Sequence, residues 1–315
     1  MKQILISVSA ILLTNVLPAQ DIGNVRFEKL EVAPISMFSD SKLPVKSIVL
    51  SNEMRLEYVE QGDASGTPVI FLHGLGDTWR SYELVLKHLP AHIHAFAITQ
   101  RGHGNAGKPM EGFTAPEFSN DLALFMKQLH IESAIIVGHS LGATVTQRFV
   151  LDHSEMTLGI VLIGSFATFK DKQFVNEFRE FVNTFSDPID AAFARDFQTS
   201  TVVKPVPAEF LEGVIDDVQK LPARAWKEII NTLSVSDYTG EFKNIQKPAL
   251  LLWGDKDQMA LLSDQEMLNS QITDSRLKIY KDRGHSLQWE EPLEVAKDII
   301  DFVETLRKNA VHRVL

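Results

Sequence analysis

The chain has 315 residues, of which 44% are hydrophobic and 23% charged, a balance typical of a folded globular protein and not of a disordered or fibrous one. Its formal net charge of −10 disfavours a nucleic-acid partner, because phosphates would repel the excess of acidic side chains. The absence of cysteine excludes disulfide bonds, thiolate metal sites and a cysteine nucleophile.

The first 19 residues have the pattern of a secretory signal peptide. Lys2 precedes an apolar stretch from Ile4 to Leu17, and the small residue Ala19 offers a cleavage position. The stretch is interrupted by polar residues and is shorter than the ~20 residues that span a bilayer, so a retained membrane anchor is the less favoured alternative. We therefore expect cleavage after Ala19, a secreted or periplasmic protein, and no stable membrane anchor after cleavage.

From Ser47 onward, short apolar runs alternate with segments of helical spacing. Strands are predicted, in chain order, at residues 47–50, 54–62, 68–74, 94–99, 133–138, 157–164, 248–254 and 276–281. Helices are predicted at residues 79–89, 113–129, 143–152, 264–272 and 293–308. This alternation implies βαβ units, and the predicted fold class is α/β, with a mostly parallel eight-stranded sheet flanked by helices.

The alternation stops between the sixth and the seventh predicted strand. Residues 166–243 contain no strand-like run, but they contain many phenylalanines whose spacing places most of them on one side of a helix. These are Phe166, Phe169, Phe174, Phe178, Phe181, Phe185, Phe193 and Phe197. We therefore predict a helical cap at 166–243, inserted into a core domain of residues 46–165 and 244–315, with a lead-in at 20–45.

The motif GHSLG at residues 138–142 lies where a predicted strand meets the next helix. A serine in such a tight turn is lifted clear of the sheet, and the flanking glycines avoid clashes with the neighbouring backbone. The turn also aims the backbone N–H of Leu141, at the start of the helix, towards an incoming oxyanion. Ser140 is therefore the candidate nucleophile, and a helix N-cap is its structural alternative.

With this motif, the chain resembles the α/β-hydrolase superfamily over nearly all of residues 45–308. The resemblance also rests on four segments that follow the third, fourth, seventh and eighth strands: HGLG (73–76), RGHG (101–104), WGDKD (253–257) and GHSLQWEEP (284–292). The RGHG turn departs from the family pattern at Thr99, where aspartate is frequent, and at Ala106, where serine is frequent. We interpret both departures as variation in the structure of the turn.

The resemblance implies a catalytic triad in the chain order Ser140, Asp257 and His285. Asp257 fits the family's G-x-x-D spacing, whereas Asp255, two residues earlier in the same loop, is the rival acid. Histidine can take the proton of the serine hydroxyl and then give it to the leaving group. The acid fixes the tautomer of the histidine and stabilises the imidazolium.

The HGLG loop implies the remaining part of the site. By the same resemblance, the backbone N–H of Leu75 joins that of Leu141 in an oxyanion hole, while His73 orders the loop. His139 adjoins the nucleophile and is expected to point to the opposite side of the turn.

Three histidines, His92, His94 and His103, lie close together in the sequence and could suggest a metal site. His94 opens a strand and His103 belongs to a glycine turn, so a solvated or structural role is favoured. We expect neither a metal nor a cofactor. Glu290 and Pro292 are expected to start the last helix, with the acid near its N-terminus.

An aromatic-rich cap over the catalytic face favours an apolar acyl, alkyl or aromatic group over a sugar or a charged peptide. We predict a carboxylesterase-like serine hydrolase that cleaves a hydrophobic ester or lactone through an acyl-enzyme, with substrate contacts from Phe166, Phe169 and Trp289. Two alternatives remain open: a slow-turnover ligand-binding or sensor protein of the same fold, and a cofactor-free haloperoxidase or perhydrolase, which needs the same triad. Nothing in the sequence indicates an oligomeric state.

Overall fold

A computed structural model of the protein describes residues 43–314. The predicted signal peptide, and the predicted lead-in as far as residue 42, lie outside the described residues. Eight strands form one sheet: β1 (Lys46–Val49), β2 (Arg55–Gln61), β3 (Thr67–Leu72), β4 (Ile93–Thr99), β5 (Ala134–His139), β6 (Thr157–Ile163), β7 (Ala249–Gly254) and β8 (Ser275–Tyr280). The ten α-helices of the described residues are α1 (Glu83–Leu86), α2 (Ala115–Gln128), α3 (Leu141–Asp152), α4 (Gln173–Val182), α5 (Ala191–Ser200), α6 (Ala208–Val218), α7 (Ala223–Leu233), α8 (Leu262–Gln271), α9 (Leu287–Glu290) and α10 (Pro292–Val314).

The strands lie in the order β1-β2-β4-β3-β5-β6-β7-β8. β2 is antiparallel to both of its neighbours, whereas every pair from β4 to β8 is parallel. The predicted α/β fold with a mostly parallel eight-stranded sheet is therefore confirmed. Loops at the carboxyl ends of parallel strands meet at one edge of the sheet, and this edge is where such folds place their sites.

The central strands are continuous apolar runs because the sheet is covered on both faces. Alternate residues of β3 enter two different clusters of the core. Ile70 packs in a cluster with Phe125 of α2, whereas Phe71 packs in a cluster with Ile299 of α10. Strand β5 is buried throughout its length.

The segment predicted as one helix at 79–89 has a different structure. Residues Trp79–Tyr82 form a 3₁₀ turn, which is followed by the single turn of α1. The side chain of Thr78 accepts a hydrogen bond from the Arg80 N–H and so supports the start of the 3₁₀ turn. At the other end of the chain, α10 begins at Pro292, as proline in a first helical turn predicts. Within residues 43–314, no helix combines the length and the apolar character needed to span a bilayer.

Four helices, α4 to α7, lie between β6 and β7. Aromatic side chains of this insertion, from the helices and the connections between them, pack around Trp226 of α7, with ring centroids 5.4–5.9 Å away. These side chains are Phe185, Phe193 and Phe197. A Cβ placed on Gly76 would stand only 3.2 Å from the indole of Trp226, so the insertion packs closely on the loop that follows β3.

Candidate active site

Ser140 lies between β5 and α3 in a strained backbone conformation, with φ 51° and ψ −113°. Its N–H donates to the carbonyl of Ile163 in β6 at 3.0 Å, which anchors the turn to the sheet. A Cβ on Gly138 would stand 2.2 Å from the carbonyl oxygen of Gly142, and one on Gly142 would stand 2.1 Å from that of Leu72. Only glycine fits at either position, so the motif is required by close backbone approach.

His285 follows β8 and meets Asp257, which follows β7. The Nδ1 of His285 donates to Oδ2 of Asp257 at 2.7 Å. The other carboxylate oxygen of Asp257 accepts from the backbone N–H groups of Met259 at 2.8 Å and Ala260 at 3.0 Å. These bonds fix the carboxylate, and a proton held on Nδ1 leaves the Nε2 lone pair of the imidazole free to act as a base.

The rival acid, Asp255, is turned away from this pair. Its Oδ1 accepts from the backbone N–H of Asp282 at 2.6 Å, and its other oxygen lies 3.8 Å from the ammonium of Lys256. The structure therefore brings Asp257, and not Asp255, to the ring of His285. No hydrogen bond joins the Ser140 hydroxyl to His285 within the described residues, and such bonds often tighten only when substrate is bound.

The two predicted oxyanion donors have free backbone N–H groups. Leu141 is the first residue of α3, where an N–H has no intrahelical acceptor. Leu75 lies in the loop after β3. Neither N–H donates to a protein acceptor in residues 43–314, so both are available to a substrate oxygen.

His73 orders the loop that carries Leu75. Its Nδ1 donates to the carbonyl of Gly74 at 2.7 Å, and its Nε2 accepts from the backbone N–H of Gln100 at 3.0 Å. The side-chain amide of Gln100 donates back to the carbonyl of His73 at 2.9 Å. Burial lowers the pKa of His73 well below its usual value, which keeps the ring neutral and able to accept.

His139 supports His285, a contact that the sequence did not indicate. The two rings lie 4.8 Å apart, and the Nε2 of His139 donates to the carbonyl of His285 at 3.2 Å. Burial, together with the nearby ring of His285, lowers the pKa of His139 well below its usual value. His139 is therefore a neutral packing group beside the His285 ring.

Asp77 is a buried acid that the sequence analysis missed. It lies two residues beyond Leu75, it is 2% exposed, and its carboxylate accepts from Nε2 of Gln198 at 2.8 Å and from the hydroxyl of Ser81 at 3.1 Å. Burial raises the pKa of Asp77 to about 7. Its place directly after the HGLG motif was the one local signal for it, whereas nothing in the sequence pointed to Gln198 of α5.

Of the predicted substrate contacts Phe166 and Phe169, the first lies beside the ring of His285. The ring of Phe166 is 6.0 Å from that of His285 and stacks on Phe169 at 4.4 Å. The segment after β6 is held by the side chain of Gln147, whose Nε2 donates to the carbonyl of Phe166 at 2.9 Å. The carboxylate of Asp264 accepts from the next backbone N–H at 3.1 Å.

Trp289, the third predicted substrate contact, is a packing residue in this structure. It is 2% exposed, its Nε1 donates to the carbonyl of Ser81 at 3.0 Å, and its ring packs edge-on against Phe210 at 5.6 Å. The expectation that Glu290 starts the last helix is also wrong. Glu290 ends α9, and its buried carboxylate binds backbone N–H groups, whereas the last helix begins at Pro292.

The RGHG turn is held by a buried ion pair. The guanidinium of Arg101 binds both carboxylate oxygens of Asp121 at 2.7 Å, and His103 donates to the Arg101 carbonyl at 2.9 Å. His94 donates to Glu60 at 2.7 Å. In the part of the chain that the structure describes, no group of three or more His, Asp or Glu side chains is arranged to hold a metal ion.

The model of the family described as alpha/beta hydrolase fold matches residues 67–292. The chain belongs to the alpha/beta hydrolase family. This alpha/beta hydrolase is 25% identical over 275 residues to a non-heme haloperoxidase of Rhodococcus erythropolis, covering 82% of this chain and 99% of that one. It is 24% identical over 264 residues to the monoacylglycerol lipase ABHD6 of Rattus norvegicus, covering 76% of this chain and 75% of that one.

Solved structures show the same architecture. An esterase from Exiguobacterium antarcticum superposes with a TM-score of 0.75 at 18% identity, covering 82% of this alpha/beta hydrolase and 98% of the esterase. At such low identity the likeness shows the fold alone.

Proposed function

We propose that the protein is a serine hydrolase that cleaves a carboxylic ester or lactone with a hydrophobic part, with Ser140 as nucleophile, His285 as general base and Asp257 as its acid partner. One observation carries the proposal: His285 donates a hydrogen bond of 2.7 Å to Asp257, in a chain that also holds Ser140 in a strained turn. The free N–H groups of Leu75 and Leu141 add the electrostatic part of the site.

The first step of the proposed reaction is acylation of Ser140. A serine hydroxyl is a weak nucleophile at neutral pH, so Nε2 of His285 takes its proton as the oxygen attacks the carbonyl carbon. The tetrahedral oxyanion then accepts hydrogen bonds from Leu75 and Leu141. Its collapse breaks the C–O bond of the ester, and the imidazolium of His285 returns the proton to the departing alkoxide.

The second step is hydrolysis of the acyl-enzyme. His285 takes a proton from a water molecule as that water attacks the acyl carbonyl. Collapse of the second tetrahedral intermediate releases the carboxylic acid, and the proton returns to Ser140 Oγ. Asp257 keeps Nδ1 of His285 protonated throughout, so Nε2 faces the reaction in both steps.

A hydrophobic substrate is supported by the aromatic side chains beside the site. The ring of Phe166 lies 6.0 Å from that of His285 and stacks on Phe169 at 4.4 Å, and Trp226 packs over Gly76 in the loop of Leu75. Apolar walls of this kind bind acyl, alkyl or aromatic groups better than charged ones.

The test of this function is Ser140→Ala in the purified protein. We expect a folded variant that no longer hydrolyses p-nitrophenyl esters of short acids, measured as steady-state turnover. Wild-type turnover in Ser140→Ala would refute the assignment of the nucleophile. A fluorophosphonate probe provides an independent readout, since it should form one covalent adduct, on Ser140, in active protein.

A second candidate function is a cofactor-free haloperoxidase or perhydrolase. It is favoured by the 25% identity to the non-heme haloperoxidase of Rhodococcus erythropolis. The same triad would pass the acyl group of an acetyl-enzyme to hydrogen peroxide and so form peracetic acid. Acetate- and peroxide-dependent bromination of monochlorodimedone, compared with ester turnover in the same preparation, distinguishes the two functions.

We also propose that the first 19 residues direct export. The support is the apolar stretch from Ile4 to Leu17 and the small residue Ala19. N-terminal sequencing of the mature protein is expected to begin at Gln20, whereas an intact Met1 in secreted or periplasmic material would contradict the proposal.

A further inference from the structure

The loop that carries His285 has three consecutive backbone N–H groups, and each has a defined acceptor. The N–H groups of His285 and Ser286 both donate to the carbonyl of Thr201, at 2.8 Å and 3.0 Å. The N–H of Gly284 donates to Oε2 of Glu290 at 2.6 Å. Thr201 belongs to the connection between α5 and α6, so the His285 loop is bound to the helical insertion as well as to the sheet.

Glu290 joins the same two segments a second time. Its Oε1 accepts from the N–H of Val203 at 2.5 Å and from that of Lys204, both in the connection between α5 and α6. Glu290 is only 3% exposed, so solvent contributes little to the stabilisation of its charge. The charge is stabilised by the N–H groups of Val203, Lys204 and Gly284. Bonds from a carboxylate to backbone N–H groups are charge-assisted and stronger than neutral ones.

The backbone around Gly284 is closely packed on two sides. A Cβ on Gly284 would stand 2.8 Å from the carbonyl of Thr201, and one on Gly254 would stand 2.4 Å from the carbonyl of Gly284. The backbone immediately before His285 is therefore packed between the end of β7 and the insertion, and Glu290 binds it through the N–H of Gly284.

We propose that Glu290 is a positioning residue for His285: its carboxylate clamps Gly284 to the 203–204 segment of the insertion and so sets the imidazole in register with Ser140 and Asp257. This inference rests on the proposed function of the site. Misplacement of a catalytic base by about 1 Å can cost on the order of a hundredfold in rate, so the clamp should act on kcat.

The neighbouring residue provides a matched control. Glu291 binds the same two segments, but only through side chains, with Lys204 Nζ at 2.8 Å and Arg283 Nε at 2.7 Å. Its removal leaves every backbone bond of the clamp in place. Glu290→Gln and Glu291→Gln each remove one negative charge, at adjacent positions. Only Glu290→Gln removes an acceptor of a backbone hydrogen bond from the His285 loop.

The experiment measures kcat and KM on a p-nitrophenyl ester, together with the rate of fluorophosphonate labelling, for wild type, Glu290→Gln, Glu291→Gln and Ser140→Ala. A glutamine has one acceptor oxygen, which would serve the two N–H groups of the insertion and leave its NH₂ facing Gly284. We expect Glu290→Gln to lose about 10- to 100-fold in kcat and in labelling rate, with KM within about twofold. Glu291→Gln should stay within about threefold of wild type in both rates.

Two results would overturn the inference. One is a Glu290→Gln protein with wild-type kcat and labelling rate, and the other is an equal loss in both glutamine variants. Wild-type turnover in Ser140→Ala would instead refute the proposed function, and that outcome is read from a separate variant.

If Glu290→Gln does not fold, Glu290→Asp keeps the charge but withdraws it from Gly284 by one methylene. Folded Glu290→Asp should lose about tenfold in kcat, and a wild-type kcat in it would refute the clamp.

Discussion

Gln198 and Asp77 form a buried hydrogen bond between the helical insertion and the loop that carries Leu75. The amide Nε2 of Gln198 donates to Oδ1 of Asp77 at 2.8 Å, and both side chains are at most 2% exposed. Leu75 is only two residues from Asp77, so this bond connects α5 to one of the two proposed oxyanion donors. The insertion thus contacts two parts of the candidate site, the loop of Leu75 through Gln198 and the His285 loop through Thr201.

We predict that Gln198→Leu lowers both stability and kcat. The substitution leaves the Asp77 oxygen without its donor, and an unpartnered buried acceptor costs about 1–3 kcal/mol in the free energy of unfolding. Because the loop of Leu75 loses a support, kcat should fall by about tenfold. Urea unfolding and steady-state turnover measure the two effects. Thr199→Ala, at an exposed position of the same helix, should leave both unchanged, and equal losses in the two variants would contradict the prediction.

A second prediction follows from the pKa of Asp77, which burial raises to about 7 from 3.8. The groups that face this carboxyl are Ser81, His139, Gln198, Asp217 and His285. Between these two pKa values the folded protein binds more protons than the unfolded chain, so the contribution of Asp77 to stability is full below pH 4 and is lost as pH rises through about 7.

Asp77→Asn removes this pH dependence, because the amide imitates the protonated acid. Between pH 5.5 and pH 8.5, wild type should therefore lose ~2 kcal/mol of unfolding free energy relative to Asp77→Asn. Urea unfolding of both proteins at the two pH values measures the difference. A constant gap between the two proteins would show that Asp77 does not titrate in this range.

The choice between the two acids of the WGDKD loop gives a third prediction. Asp257→Asn should lower kcat by on the order of 10³- to 10⁴-fold, because an amide can donate to Nδ1 of His285 and stabilise the wrong tautomer. Asp255→Asn should stay within about threefold of wild type, since this side chain bonds to the backbone of Asp282 and not to the histidine. Turnover of a short ester by both variants measures the ranking, and the reverse order would move the acid to Asp255.

Sequence patterns predicted the parts of the site that depend on local structure. The turn at Ser140 needs only a buried strand, two glycines and a helix, all within a few residues, and the sheet followed from apolar runs of strand length. The segment at 79–89 shows the limit of such patterns. Its apolar spacing suits a helix, but Trp79–Tyr82 form a 3₁₀ turn before the single turn of α1.

The contacts that the sequence missed join residues far apart in the chain. Asp77 and Gln198 are 121 positions apart, and Val203 and Glu290 are 87 apart. Each of these bonds depends on where the helical insertion folds back onto the sheet, which no local pattern specifies. The same reason explains why Glu290 does not start the last helix as expected: its carboxylate bonds to the backbone of Val203 and Lys204, which lie far from it in the chain.

The last prediction concerns the acyl preference that we propose for Phe166 and Phe169. Removing the Phe166 ring takes apolar surface from the wall beside His285, and removing the Phe169 ring takes away the ring on which Phe166 stacks, so longer acyl chains should lose more than short ones. In Phe166→Ala and Phe169→Ala, kcat/KM for a hexanoate ester should fall about tenfold, and that for an acetate ester by less than about threefold. A series of p-nitrophenyl esters of increasing acyl length measures these changes in kcat/KM.

Phe178→Ala is the control, because Phe178 stacks at 6.0 Å on Phe197, one of the rings packed around Trp226. It should lower thermal stability without changing the dependence on chain length, and a parallel loss for all esters in the Phe166 and Phe169 variants would assign these rings to packing alone.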